Sequence, residues 1–511
     1  MADNHGNKWK MPLLVFFKDA RKVLRLDSIG RELLGIAFPA ALAVAADPIA
    51  SLIDTAFIGH LGAVELAAAG ISITLFNQAS RITIFPLVSV TTSFVAEEDT
   101  LKKITDIEKA LPNTDNDESN LGNSASANME MNKNINKNTS KSSSLAASSK
   151  NKSKNEKRQI ASASTALIFG TILGLLQASI LIFAAKPLLL AMGAKQGSDM
   201  LILAEKYLKL RALGAPAVLL ALAMQAIFRG FKDTKTPLYV IVLGYALNVA
   251  LDPVLIFYCK LGLNGAAVAH VISQYLMALA LLLILMKKVD LLPPSIKDLQ
   301  IFRFLKNGGL LLARVIAVTF CVTFAASLAA RLGPITMAAF QTCQQVWMTS
   351  SLLSDGLAVA IQAILACSFA EKDYEKAKVA AVRVLQISFV MGAVLSVVVG
   401  IGLYFGAVVF SKTLSVLHLI RVGLPFAAAT QPINALAFVF DGVNYGASDF
   451  TYAATSLVMV SIVSIGIEFL MYKIKGFLGI WIALTIYMAL RMLAGFWRMG
   501  TGTGPWHFLK E

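Results

Sequence analysis

The segment Glu32–Ile58 is apolar and long enough to cross a lipid bilayer, yet it contains two acidic residues, Asp47 and Asp54. About 20 apolar residues in a helix span the hydrocarbon core, and a carboxylate inside such a span costs about 2.5–3.5 kcal/mol on insertion scales. The two aspartates lie two turns apart on nearly the same face of a helix. Pro39 and Pro48 each remove a helix hydrogen bond and favour a kink. The segment therefore predicts a bent membrane span that lines a polar cavity.

The composition indicates a membrane protein with many spans. Of the 511 residues, 56% are hydrophobic and only 15% are charged, and the mean hydropathy is +0.66. These values do not fit a soluble protein of this size. The net charge of +15 is typical of Lys and Arg collecting in cytoplasmic loops. No basic stripe with interleaved aromatic residues points to nucleic acid, so we expect no nucleic-acid partner.

Eleven further apolar runs follow the first, and a polar connector separates six spans from the next six. They lie at about 70–96, 160–185, 203–229, 236–258, 263–286, 303–331, 337–370, 378–406, 418–444, 452–472 and 477–498. The pattern predicts an all-α membrane protein of twelve transmembrane helices in two six-helix bundles. We expect an N-terminal segment over 1–31, a first lobe over 32–286, a linker over 287–302, a second lobe over 303–498 and a tail over 499–511.

Basic residues cluster before the first span, between spans four and five, between the two halves, and between spans eight and nine. An even number of spans separates these loops, so all of them lie on one side of the membrane. The positive-inside rule makes that side the cytoplasm, with both termini cytoplasmic. The basic residues 1–31 predict a helix at the membrane surface. A plastid transit peptide is the less favoured alternative, because acidic residues are interspersed and Ser is scarce.

The connector between spans two and three differs from the other loops. Residues 97–158 are rich in Asn, Ser, Lys and acidic residues and nearly free of aromatics. Such a composition cannot bury a core and predicts disorder. The segment is interpreted either as a tolerated insertion or as a regulatory loop in which Ser140–Ser149 is a phosphorylation patch.

The two halves repeat each other. HLGAVELAA in the first half matches RLGPITMAA in the second, RGFKDTKTPLY corresponds to DGVNYGASDFTY, and Pro216 corresponds to Pro425. Because each half has six spans, the repeats share one orientation and are related by a pseudo-two-fold axis along the membrane normal. Parallel repeats of this kind are typical of alternating-access transporters, with the site between the halves.

Several motifs in this order resemble the MATE family, multidrug and toxic compound extrusion, over nearly the whole chain. They are LIDTAFIGHLGAVELAAAG, FRGFKDTKTP, NVALDP and LGLNGAAVAH. The long loop after span two and the segments AADPIASLIDTAFIGHLG and FPLVSVTTSFVAEEDT resemble the plant branch that exports citrate. The resemblance implies a V-shaped pair of six-helix lobes, a plasma-membrane location, and a role in iron translocation or aluminium tolerance.

The resemblance implies a proton- or cation-coupling site in the first lobe. Asp54 occupies the family's acidic position in span one, and Asn248 and Asp252 match an Asn/Asp pair that forms a polar cluster with that acid. Spaced four residues apart, the latter two share one helix face. Burial beside other carboxylates raises the proton affinity of a carboxylate. The alternative for Asp252, which precedes Pro253, is that it only marks the end of a helix. Asp47 is a further coupling candidate that the general family pattern lacks. His270 is another, at a position where the family usually has a hydroxyl residue; the alternative is that His270 only packs in the core.

Two arginines inside the spans suit an anionic substrate. Arg81 in span two and Arg314 in span seven have no acid adjacent in sequence, and Arg grips carboxylates with two hydrogen bonds. The alternative is an ion pair across helices, with Asp47 or Asp355. Further candidates are the substrate-lining residues Gln344 and Gln345 and the acidic residues of the second lobe, Asp355 and Asp441, of which Asp441 could instead start a turn.

We therefore predict a monomeric secondary transporter that exports citrate or another small organic anion, linked to protons or a monovalent cation, from the plasma membrane. The alternative is a MATE antiporter of organic cations or secondary metabolites; a lipid flippase is less favoured. An enzyme would need a nucleophile–base pair or a metal cluster, and no HExxH, GxSxG or paired His/Cys set occurs. The four isolated cysteines predict neither disulfides nor a zinc site. We expect no cofactor and no metal.

Overall fold

The computed structural model describes residues 28–61, 63–110, 158–192, 196–290, 301–410 and 414–509. Nearly all of them are helical, because long runs of Leu, Ala, Val and Ile can satisfy their backbone in lipid only within a helix. The helices are α1 Ser28–Gly59, α2 Ala63–Ala110, α3 Ala161–Phe183, α4 Ala185–Ala191, α5 Asp199–Ala212, α6 Ala215–Gly230, α7 Lys235–Pro253, α8 Leu263–Lys288, α9 Ile301–Arg331, α10 Pro334–Ala370, α11 Tyr374–Phe410, α12 Leu414–Ala429, α13 Gln431–Gly446, α14 Phe450–Lys475 and α15 Phe477–Gly500.

The described residues also form short elements beside these helices. A π-helical turn, Val254–Tyr258, continues α7. A 3-10 helix, Gly504–Leu509, follows α15. A parallel bridge joins β1, Arg158–Gln159, to β2, Val289–Asp290.

Within the described ranges, ten single helices are long and apolar enough to cross a membrane. Two further spans are bent pairs, α5 with α6 at 45° and α12 with α13 at 48°. Counting each pair as one span gives the twelve spans predicted from the sequence. Pro216 stands near the start of α6 and Pro432 near the start of α13, where a proline has no helix hydrogen bond to lose. The sequence repeat pairs Pro216 with Pro425, which is wrong, because Pro425 lies inside α12 and Pro432 takes the equivalent position.

The two halves have the same internal arrangement. In the first half α7 packs on α1, α6 packs on α2 and α3, and α8 packs on α7. In the second half α14 packs on α9, α13 packs on α10 and α11, and α15 packs on α14. The contacts between halves are also reciprocal, since α1 packs on α10 and α2 packs on α9. This is the twofold pattern that the sequence repeat predicts.

The halves are joined at one end, which we call the basic end because Lys232, Lys288 and Arg303 lie there. Among the described residues, three buried clusters of apolar side chains contain residues from both halves, and one of them holds Phe94 with Phe304. Toward the opposite end each half has a core of its own, and no cluster among the described residues joins them there. The two bundles therefore diverge away from the basic end.

Close backbone approach tightens the junction between α1 and α10. A Cβ added at Gly356 would lie 2.7 Å from the Ala37 carbonyl oxygen and 2.7 Å from the Ala41 Cβ. Further toward the basic end, Gln362 donates to the Ser89 carbonyl oxygen at 2.8 Å and to the Ser93 hydroxyl at 2.9 Å. Hydrogen bonds from the Gln362 side chain thus reinforce the shared core.

The structure corrects the start of the loop between spans two and three. The sequence predicts disorder from residue 97, but α2 continues as a helix to Ala110. Glu98 accepts hydrogen bonds from the backbone amides of Ala161 and Ser162, at 2.8 and 2.9 Å, and so caps α3. Residues 111–157, with Ser140–Ser149, and residues 1–27 lie outside the described part of the chain.

The residues after α15 are folded against the body of the protein. Trp506 of the 3-10 helix is fully buried, and its ring lies 5.5 Å from that of Phe369 at the end of α10. The division into lobes at residues 286 and 303 stays a prediction. The linker predicted over 287–302 is shorter in the structure, because α8 runs to Lys288, the β2 strand follows, and α9 begins at Ile301.

Candidate functional site

A buried polar cluster lies between α1 and α7 in the first half. The side-chain amide of Asn248 donates to Asp54 Oδ1 at 2.8 Å and to Asp252 Oδ2 at 3.4 Å. All three residues are at least nine-tenths buried. One amide therefore bridges two carboxylates from different helices, in surroundings where two negative charges repel strongly.

The position of Asp252 corrects one alternative from the sequence. It does not end a helix, because the π-helical turn Val254–Tyr258 continues α7 beyond Pro253. Its Oδ1 atom is buried and forms no hydrogen bond among the described residues. An unsatisfied buried oxygen on a carboxyl group has room for a proton or for a bound water or ion.

Two residues of α8 complete the cluster. The Ser273 hydroxyl lies 3.1 Å from Asn248 Oδ1 and 2.8 Å from the His270 carbonyl oxygen. His270 is buried, and its ring lies within electrostatic reach of Arg211 rather than in a hydrogen bond to either aspartate.

Arg211 on α5 is a buried cation that the sequence analysis missed. It donates to the Tyr207 hydroxyl at 3.2 Å, and its guanidinium lies 5.3 Å from the centre of the Phe76 ring. It faces the same polar region as His270 and Asp252. The signal was present in the sequence, since an arginine inside the apolar run 203–229 is a functional candidate by default.

A cavity of about 160 Å³ lies between α2 of the first half and four helices of the second. Three arginines contribute to its wall, together with aromatic and aliphatic side chains. The lining residues are Arg81, Phe85, Arg314, Val315, Val318, Thr319, Val322, Trp347, Met348, Ser351, Phe438, Tyr487, Met488 and Arg491. The cavity therefore presents several hydrogen-bond donors and positive charge within an apolar wall.

Two of these arginines share one carboxylate. Arg314 Nη2 lies 2.5 Å from Asp441 Oδ2, and Arg491 donates to the same oxygen. The sequence predicts Asp47 or Asp355 as the ion-pair partner of Arg314, but in the structure the partner is Asp441. Asp441 lies inside α13 and does not start a turn. The trio keeps one net positive charge beside the cavity.

Arg81 is held differently. Its side chain is exposed and forms no hydrogen bond or ion pair with the described residues, although Asp355 on α10 is within electrostatic reach. An arginine that no carboxylate of the described residues engages has its five donors available for a ligand.

Comparison with known proteins decides the family. The MatE family model matches residues 143–254 and 311–470. The chain is also 62% identical to Protein DETOXIFICATION 43 of Arabidopsis thaliana, over 98% of this chain and 96% of that protein. The chain belongs to the MATE family.

Other relatives agree with this assignment. Protein DETOXIFICATION 42 of Arabidopsis thaliana is 59% identical over 98% of this chain and 97% of that protein. Among solved structures, a MATE protein in a bent conformation has a TM-score of 0.74 at 18% identity, covering 94% of this chain and 96% of that one. A MOP superfamily transporter from Pyrococcus furiosus has a TM-score of 0.75 at 18% identity, covering 96% and 98%. The MATE fold is therefore shown for this chain.

The remaining predicted site residues of this MATE protein lie apart from the two centres or outside the described atoms. Gln344 and Gln345 are on α10 but do not line the cavity, which instead takes Trp347 from the following turn. The Trp347 indole donates to the Thr430 hydroxyl at 3.0 Å, so the ring is fixed in place. The side chain of Asp47 lies outside the described part of the structure.

Proposed function

We propose that this MATE protein exports citrate or a closely related small organic anion by alternating access, linked to protons. The observation that carries the proposal is the convergence of Arg81, Arg314 and Arg491 on one cavity between the halves. Among the described side chains, only the carboxylate of Asp441 forms ion pairs with these arginines. The excess positive charge favours a ligand with several carboxylates, and the planar guanidinium matches carboxylate geometry.

The energetics favour export of such an anion. One charge crossing about 100 mV is worth roughly 2.3 kcal/mol, so a citrate trianion leaving a negative cytosol gains on the order of 7 kcal/mol. Export is therefore downhill without tight proton coupling. We infer that the cluster of Asp54, Asn248 and Asp252 acts instead as a switch between states of the two halves, through loss or gain of a proton.

The shape of the molecule supports this mechanism. The halves share their core at the basic end and diverge at the other. If the basic end faces the cytoplasm, as the positive-inside rule predicts, this conformation is open to the outside.

We propose the plasma membrane as the location; Protein DETOXIFICATION 45, 42% identical, is named as chloroplastic, so location in this family varies. Roles in iron translocation or aluminium tolerance follow from citrate export as a further proposal.

A second candidate function is antiport of organic cations or secondary metabolites. The aromatic part of the cavity wall favours it, since Phe85, Trp347 and Phe438 offer ring faces to a flat or cationic compound. The arginines oppose it, because they would repel a cation in the same space.

The deciding experiment uses purified protein in liposomes with an inside-negative potential and radiolabelled citrate. We expect citrate flux in the wild type that excess unlabelled citrate suppresses and an organic cation does not. Arg81→Gln is expected to lose most of this flux, whereas Arg331→Gln, at the far end of α9, is the matched control. Flux of a cationic dye with no citrate flux above protein-free liposomes would overturn the proposal.

A further inference from the structure

Glu468 on α14 is a fully buried carboxyl group in the second half of the protein. Its Oε1 atom accepts a hydrogen bond from the Cys321 thiol of α9 at 3.1 Å. Its Oε2 atom is buried and has no hydrogen-bond partner among the described residues. This acid takes no part in the cavity or in the cluster of the first half.

Other buried polar groups of α14 and α15 also lack hydrogen-bond partners among the described residues. The hydroxyls of Ser461 and Ser464 are two of them, and their spacing of seven and four residues from Glu468 puts all three on one face of α14. The buried hydroxyl of Tyr487 on α15 is a third, within the same described part of the chain. Native proteins rarely leave several such groups without hydrogen bonds in one region. The region therefore resembles a binding site for a small ligand.

The charge of the region indicates what that occupant is. No Lys, Arg or His of the described chain forms an ion pair with Glu468. An ionised carboxylate buried without a countercharge carries a large desolvation penalty, so the group must be neutralised. The titratable groups of the packed helices that lie nearest this region are Cys321 and Arg314 on α9, Asp441 on α13, and Tyr487 and Arg491 on α15. Arg314 and Arg491 are both paired with Asp441. Because Arg491 already engages Asp441, a proton is the simplest neutralising ligand.

The acid is connected to the candidate substrate cavity. Tyr487 lines that cavity and lies within electrostatic reach of Cys321. Val322, the residue after Cys321, lines it as well. Cys321 therefore contacts Glu468 and lies near two residues of the cavity wall, Tyr487 and Val322.

The location within the fold is equivalent to that of the first cluster. Glu468 and Cys321 lie between α14 and α9, and α14 packs on α9 as α7 packs on α1. We propose that Glu468 binds a proton and is a second proton-coupling site, placed in the second half and reached through the cavity. The carboxylate takes the proton from hydronium in the cavity, which leaves water, and forms an O–H bond at Oε2; on release the proton returns to water there. The role in coupling rests on the proposed transport function; the binding of the proton does not.

The test is infrared difference spectroscopy on the purified full-length protein in lipid, without any transport substrate. We expect a carbonyl stretch of a protonated carboxyl group that shifts in D₂O and fades reversibly as the pH is raised. Glu468→Gln is expected to lose this band, whereas Glu205→Gln, a surface acid paired with Lys209, is expected to keep it. An unchanged band in Glu468→Gln would overturn the proposal, and so would a wild-type band that does not change with pH.

A second variant guards against a folding defect in Glu468→Gln. Cys321→Ala removes the donor to Oε1 and leaves the carboxyl in place, so the same band is expected to shift in frequency rather than disappear. A band that stays at the wild-type frequency contradicts the assignment. Replacement of K⁺ by Na⁺ in the buffer should leave the band unchanged; its loss in Na⁺ would make the occupant a metal cation. A failure to transport citrate would refute the proposed substrate but would leave these spectra unaltered.

Discussion

Arg303 at the start of α9 and Glu97 on α2 join the two halves at the basic end, with Arg303 Nη2 2.6 Å from Glu97 Oε2. The Arg303 guanidinium also lies 3.9 Å from the centre of the Phe94 ring. The side chains of the pair are 41% and 30% exposed, and ion pairs of this kind contribute about 0.2–1 kcal/mol. The contact is thus weak enough to break during a conformational cycle.

The first prediction concerns this pair. Glu97→Gln should shift the equilibrium up to about five-fold toward a state open at the basic end, because about 1 kcal/mol is removed from the closed state alone. Spin labels at Lys235→Cys and Glu375→Cys, in a Cys259→Ser background, report the separation of the halves. Reversal of the two charges, Glu97→Arg with Arg303→Glu, should restore the wild-type distribution. Glu205→Gln breaks a pair within one helix and should have no effect; equal distances in all variants would refute a role for the pair.

The second prediction concerns Arg81, whose donors no described carboxylate occupies. Arg81→Gln should raise the KM for citrate by about 10- to 100-fold, because a hydrogen bond to a charged group is worth about 1.5–3 kcal/mol. Arg81→Lys should recover part of the lost citrate affinity, since lysine keeps the positive charge but lacks the planar guanidinium that binds a carboxylate with two hydrogen bonds. The thermal stability of both variants should match that of the wild type. A KM that is unchanged in Arg81→Gln would remove this residue from the binding site.

Sequence patterns predicted the spans well, because a long apolar run forms a membrane-spanning helix whatever its neighbours in the fold are. The spacing of Asn248 and Asp252 likewise placed both on one helix face. The partner of Arg314 could not be predicted in this way, since it depends on how α9, α13 and α15 pack. The helical end of α2 was missed because a polar helix and a polar loop have the same composition; the contact of Glu98 with α3 decides between them.

The third prediction concerns the carboxylate between two arginines. Asp441→Asn leaves Arg314 and Arg491 facing each other without a countercharge, and breaking a buried pair in this way costs about 3–5 kcal/mol. The midpoint of thermal unfolding should therefore fall clearly. Arg314→Met should cost less, because Arg491 still engages Asp441 in that variant. The reverse order of the two effects would show that the trio is not held together as the structure has it.

The fourth prediction concerns Asp233, which lies in the turn between α6 and α7, outside the spans. Burial alone would raise the pKa of Asp233, but hydrogen bonds from Lys288 and Thr236 outweigh it and hold the pKa below its ordinary value. A carboxylate with a lowered pKa in the folded state stabilises the fold above about pH 4, and this contribution is lost as the pH falls through the folded value. The difference in unfolding midpoint between the wild type and Asp233→Asn should therefore be constant near neutrality and shrink below about pH 4. A difference that does not depend on pH would contradict this role.

The fifth prediction concerns the proposed proton switch at Asp54. Asp54→Asn keeps a hydrogen-bonding group beside Asn248 but cannot exchange a proton at that position. We expect this variant to lose both citrate transport driven by a pH gradient and exchange of labelled for unlabelled citrate, because both need the two halves to change state. Both fluxes are measured in the same liposomes, with Asp199→Asn, at the surface start of α5, as the control. Retained exchange together with loss of gradient-driven flux, in a variant that keeps wild-type thermal stability, would show that Asp54 couples proton movement without controlling the change of state.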